Sequence, residues 1–139
     1  MRVLALALLA LLAIAGKSEA QTKASADPLE FYKRYLTVLA KAKSLDELVP
    51  YYTRELGDGL RKMPAEMQAN YIKMNARALT DLKVIKQQVD SSKAVFEMSA
   101  KTADGRKTTG SATLVKEDGA WKVEDESWAA PLPKVGDGS

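Results

Sequence analysis

Carboxylates and tyrosines carry whatever chemistry this chain performs, because its 139 residues include no histidine and no cysteine. That absence removes the serine–histidine–aspartate triad, the thiol nucleophile and the ordinary zinc site. After residue 20 the sequence has no Gly-rich phosphate loop, EF-hand spacing or Ser-x-x-Lys nucleophile pattern. No metal and no cofactor is therefore expected. Acid–base work by Asp, Glu or Tyr remains, or binding without chemistry.

Asp125 is the carboxylate whose position suggests a role. Side chains alternate faces along a strand, so regular alternation puts Trp121, Val123, Asp125 and Ser127 on one side. Lys122, Glu124, Glu126 and Trp128 then take the other. Asp125 would sit at the mouth of any cavity on the apolar side, where desolvation would fit it for general acid or base work. A hydrated carboxylate near a sheet end is the plainer alternative. Tyr32, Tyr35, Tyr51, Tyr52 and Tyr71 all lie in the helical half of the chain, before the strands. Their hydroxyls would either reach a ligand or stay wet while the rings pack. The residues expected to line a ligand pocket are Tyr32, Tyr35, Tyr52, Met67, Phe96, Met98, Trp121 and Asp125.

These residues need elements to hold them. Asp27-Pro28-Leu29-Glu30 opens a helix, with Asp as the cap, Pro in the first turn and Glu placed for a capping box. Leu29, Tyr32, Leu36 and Leu39 recur at helical spacing, and the helix is expected to reach about Lys43. Ser44-Leu45-Asp46-Glu47 starts a second, short helix that Pro50 interrupts. The stretch 51–56 reads either as a kinked continuation or as a short extended piece, before a break at Gly57-Asp58-Gly59. Pro64 suits the start of a third helix, with Met67, Tyr71, Met74 and Ala78 as its apolar stripe. Such a Met-bearing stripe would pack in the core or line a pocket.

From Asp81 the period shortens to two. Strands are expected at 82–89, 93–103, 107–116 and 120–128, joined by turns at Asp90-Ser91-Ser92, Asp104-Gly105 and Asp118-Gly119. Gly110 inside the third suggests a bulge or bend that would curve the sheet. Three helices followed by a curved four-stranded antiparallel meander make an α+β fold, the helices packed on one face. Trp121 is expected as a core anchor, and Trp128, on the opposite face by parity, as an outward ring.

The chain begins with a targeting segment: Arg2, an apolar run Val3 to Ala15, and Ser18-Glu19-Ala20 as a small-x-small cleavage site. The run is too short to span a bilayer, which takes about 20 apolar residues. Residues 1–20 are thus a signal peptide, 21–26 a linker, 27–130 one domain and 131–139 a flexible tail. The product is expected in the periplasm or outside the cell, soluble and without a membrane span. Lacking cysteine, it must draw its stability from a packed core. A formal charge of +3, with Lys interleaved among acids, argues against nucleic acid.

The helices, the meander and the closing stretch TLVKEDGAWKVEDESW resemble the nuclear transport factor 2-like superfamily, most closely its small secreted bacterial members of unknown function. The likeness covers Asp27 to Trp128, and Leu114, Val115, Gly119, Trp121 and Val123 are its specific part. It implies a cone-shaped, cystatin-like fold whose sheet wraps a cavity roofed by the first helices. Some members of that superfamily are isomerases, dehydratases or cyclases that use an Asp with a His or Tyr; this chain has no His. The resemblance also implies a homodimer through the outer sheet face, where Val95 and Trp128 would lie. It further implies a short strand between the second and third helices, which is not obvious in this sequence.

Three readings stand at this point. The first is an exported, non-catalytic domain that binds a small apolar or amphipathic molecule, or a partner protein. The second is an isomerase or dehydratase with Asp125 as base, and the third a structural or oligomerising module.

Overall fold

A computed structural model describes residues 27–132. The expected signal peptide and linker, and residues 133–139 of the expected tail, lie outside the described residues. The described part is α+β, with helical segments first and an open four-stranded sheet after them.

Helix α1 spans Pro28–Lys41 and begins as its cap residues dictate. Asp27 Oδ1 accepts hydrogen bonds from the amides of Leu29 at 2.9 Å and Glu30 at 3.4 Å. The helix stops two residues before Lys43, because Ala42 turns extended. Its buried stripe is Tyr32, Tyr35 and Leu39. Two 3₁₀ turns follow, Leu45–Glu47 and Val49–Tyr51. Glu47 secures the first by accepting from the amides of Lys43 (2.7 Å) and Ser44 (2.9 Å).

The extended alternative for 51–56 holds over two residues. Tyr52 forms a parallel bridge to Val123, and the Thr53 amide donates to the Val123 carbonyl at 3.1 Å. Helix α2, Arg54–Arg61, then runs through the expected break at Gly57-Asp58-Gly59. Thr53 caps it, its hydroxyl accepting from the Leu56 amide at 3.2 Å. Gly57 belongs there because a Cβ would press to 3.3 Å from Val49 Cγ1. Tertiary contact thus overrides the helix-breaking signal.

Helix α3, Ala65–Asn75, corrects the expected Met stripe. Met67 is 52 % exposed and Met74 78 %, and the helix ends before Ala78. Gln68, Tyr71, Ile72 and Asn75 form the inward face instead. The cause is polar: the Gln68 side-chain amide donates to the carbonyls of Met63 (2.9 Å) and Arg61 (3.1 Å), which sets the helix rotation.

The strands β1 (Thr80–Val89), β2 (Lys93–Lys101), β3 (Lys107–Glu117) and β4 (Ala120–Trp128) form the expected antiparallel meander in sequence order. Asp118 and Gly119 both take positive φ, 52° and 81°, the twist a two-residue hairpin requires. The inner face carries Ala94, Phe96, Met98, Ala112, Leu114, Trp121 and Val123, all buried. Beyond β4 the chain stays tied to β3: the amides of Ala129 and Leu132 each donate, at 2.8 Å, to the carbonyls of Thr109 and Lys107. Among the described residues no helix is long and apolar enough to cross a membrane.

One irregularity decides what faces the helices. Leu114 pairs with Val123, but Thr113 pairs with Asp125, so Glu124 is an extra residue in β4. Alternation breaks there. Glu126, opposite buried Ala112, and Trp128, opposite Gly110, turn to the inner face. Asp125 is exposed on the outer face and Trp128 is not, which reverses both parity assignments. Gly110 itself pairs in regular register with Met98 and Trp128 and makes no bulge.

Candidate functional site: a carboxylate held by tyrosines

Helix geometry places Tyr32 and Tyr35, three residues apart, on the face of α1 that meets β4. Glu126 reaches up between them. Its Oε2 accepts from the Tyr32 hydroxyl and its Oε1 from the Tyr35 hydroxyl, each at 2.6 Å. The Trp128 indole N–H donates to the Tyr32 oxygen at 3.1 Å. Tyr35 and Tyr52 hydroxyls lie 2.9 Å apart, and those of Tyr52 and Tyr71 3.0 Å apart. Each phenol has one proton. Because Tyr35 gives its own to Glu126, Tyr52 must donate to Tyr35 and Tyr71 to Tyr52. The result is a directed chain from half-buried Tyr71 to the carboxylate.

The chain joins α1, the Tyr52 bridge, α3 and β4. Hydrogen bonds to a charged acceptor contribute about 1.5–3 kcal/mol each, more than neutral ones. The rings add edge contacts: Tyr35 and Tyr52 centroids are 5.6 Å apart at 65°, Tyr52 and Tyr71 6.5 Å apart at 82°. Burial raises all four phenols above the ordinary tyrosine range, Tyr32, Tyr35 and Tyr52 by far the most, and the Glu126 charge raises Tyr32 and Tyr35 further. These hydroxyls stay neutral donors. Among the described residues no buried side-chain nitrogen or oxygen lacks a partner.

Of the residues expected at a pocket, Tyr32, Tyr35, Tyr52, Phe96, Met98 and Trp121 come together, all 3 % exposed or less. Met67 and Asp125 stand apart, at the surface. Glu126 is the residue the alternation rule passed over. Trp121 and Trp128 are seven apart, so both can face inward only if the strand contains an extra residue. That spacing, with Gly110 bare opposite Trp128, was the readable hint.

Ligand-sized space lies elsewhere. A groove of about 480 Å³ beside the last hairpin is lined by Tyr52, Arg54, Arg61, Glu117, Asp118 and Lys122, among others. Another of about 490 Å³ runs between α1 and residues 78–82, and a third of about 470 Å³ between α2 and β4. None of these three is lined by Tyr32, Tyr35, Phe96, Met98 or Trp121. Several charges in the first are already engaged: Glu117 accepts from the Arg54 amide through both oxygens at 3.0 Å, and Lys122 donates to the Pro50 carbonyl at 2.6 Å. Among the described residues no group of three or more acidic side chains is arranged to hold a metal ion.

Comparison with known proteins gives a family without an activity. Residues 32–124 match the family described as Domain of unknown function (DUF4878). No curated protein matches the chain. Among solved structures, the solution structure of a SEC-C motif containing protein from Rhodopseudomonas palustris is similar at 15 % identity, covering 69 % of this chain and 70 % of that one, with a TM-score of 0.46.

Proposed function

The chain belongs to the DUF4878 family, and from that premise we propose a non-catalytic binding domain that meets its ligand or partner at the surface. One observation carries the reading: the carboxylate facing the helices has both oxygens committed to tyrosine hydroxyls, in an interior packed with rings. A general base needs an oxygen that its substrate can reach, and Glu126 lines none of the three ligand-sized grooves. Asp125, exposed on the face away from the tyrosines, gives an isomerase or dehydratase reading no support.

The nuclear transport factor 2-like cone belongs to this proposal. Its support is the order of elements, the bulge in β4, and the Tyr52–Val123 bridge, the extended alternative for 51–56. Export behind residues 1–20 is part of it too, resting on the sequence of that segment. For a homodimer through the outer sheet face, Val95 and Val115 remain as half-buried apolar residues, while Trp128 belongs to the inner side. Native mass spectrometry of the chain purified from its own compartment tests the reading. A bound component that leaves on denaturation is expected. A bare single-subunit mass under the gentlest conditions would overturn it.

A further inference from the structure

We propose that the groove between α2 and the β4 bulge binds a small amphipathic cation, an apolar body bearing one ammonium or guanidinium group. This names the site and ligand class of the surface binding proposed above, and rests on that reading.

Shape and chemistry point the same way. Leu56, Leu60 and Met63 supply an apolar floor, and the volume of about 470 Å³ lies within the range of small-molecule sites. Glu55 and Glu124, both exposed, also line the groove, and among the described residues no Lys or Arg does. Neither carboxylate has an ion-pair or hydrogen-bond partner among the described residues. Glu124 is the extra residue of the bulge, a feature that re-aims a side chain at the edge of a sheet. Beside an apolar floor, two unpaired carboxylates favour a cation whose body covers that floor.

Gly59 adds an independent argument. It lies inside α2, where glycine weakens a helix, and lines this groove. Gly57 in the same helix is accounted for by Val49, but a Cβ on Gly59 would meet nothing within 4 Å. Nothing in the described chain needs that bareness, whereas a ligand lying close against the helix backbone does. The groove beside α1 carries both signs, with Lys33 on Glu30 at 3.5 Å and Asp81 on Lys101 at 3.4 Å.

The test is an amide NMR titration of the whole chain with octylammonium, and with octanoate as the charge-reversed probe. Octylammonium is expected to shift the amides of Leu56, Gly59, Leu60, Met63 and Glu124, and octanoate to leave them in place. Glu55→Gln with Glu124→Gln should weaken binding about fivefold or more. Gly59→Ala should weaken it about tenfold while raising Tm by a few degrees, so lost binding is not lost folding. Unmoved groove amides, equal shifts with octanoate, or wild-type affinity in Gly59→Ala would each overturn the proposal. Octylammonium shifts confined to another groove would sink this site and leave surface binding standing.

Discussion

Gly110 and Trp128 face each other across the β3–β4 ladder, and the absent side chain of one makes the seat of the other. A Cβ on Gly110 would overlap the ring carbons Cδ2 and Cε3 of Trp128 and come within 2.7 Å of the Ser127 carbonyl oxygen. The indole lies against the sheet and hands its N–H to Tyr32. Gly110→Ala should therefore destabilise the fold by about 1–3 kcal/mol, as overpacking does. Urea melts followed by indole emission measure it.

The two glycines of α2 should answer differently to the same substitution. At Gly59, with open space around a new Cβ, alanine is expected to stabilise by about 0.4–1 kcal/mol. At Gly57 the new methyl meets Val49 Cγ1 at 3.3 Å, so most of that gain should vanish. Thermal melts of the two variants side by side decide it; equal Tm gains would contradict the packing described for Gly57.

Alkaline pH should unfold the protein through its tyrosines. Burial raises Tyr32, Tyr35, Tyr52 and Tyr71 in the folded state, so above the ordinary value near 10 the unfolded chain releases protons that the folded chain keeps. The unfolded state then binds fewer protons, and stability falls as pH rises. Below about pH 9 this contribution is fully present; above about 10 each phenol removes up to about 1.4 kcal/mol per pH unit. Phenolate absorbance should rise for these four only together with loss of the folded circular-dichroism signal. Ionisation of all four with the fold intact would refute their placement.

Trp121 is 2 % exposed on the inner face, and Lys116 Nζ stands 5.1 Å over its ring. Trp121→Ala should cost about 3–5 kcal/mol, the range for large core aromatics. A loss under about 1 kcal/mol in a denaturant melt would contradict its core position.

Local chemistry was legible where it is locally decided. Asp27-Pro28 announces a helix start, Asp118-Gly119 a hairpin, and the shortened period after Asp81 a sheet, because caps and turns are set by residues a few places apart. What stayed hidden depends on distant partners. The path of α2 through Gly57 is set by Val49, the rotation of α3 by Gln68 reaching back to Met63 and Arg61, and the Glu124 bulge by strand pairing. That bulge mattered most, since one extra residue moves every later side chain to the opposite face. It exchanged Asp125 for Glu126 at the tyrosines, and so replaced an expected open carboxylate with an engaged one.

The account turns on Glu126 being held by Tyr35 inside the fold, and a double-mutant cycle of Tyr35→Phe and Glu126→Gln in urea melts tests that most directly. A coupling of about 1 kcal/mol or more is predicted, because the two groups share one charge-assisted hydrogen bond of 2.6 Å. Additivity within about 0.3–0.5 kcal/mol would mean that the two do not interact, and would contradict the closed interior from which surface binding was argued.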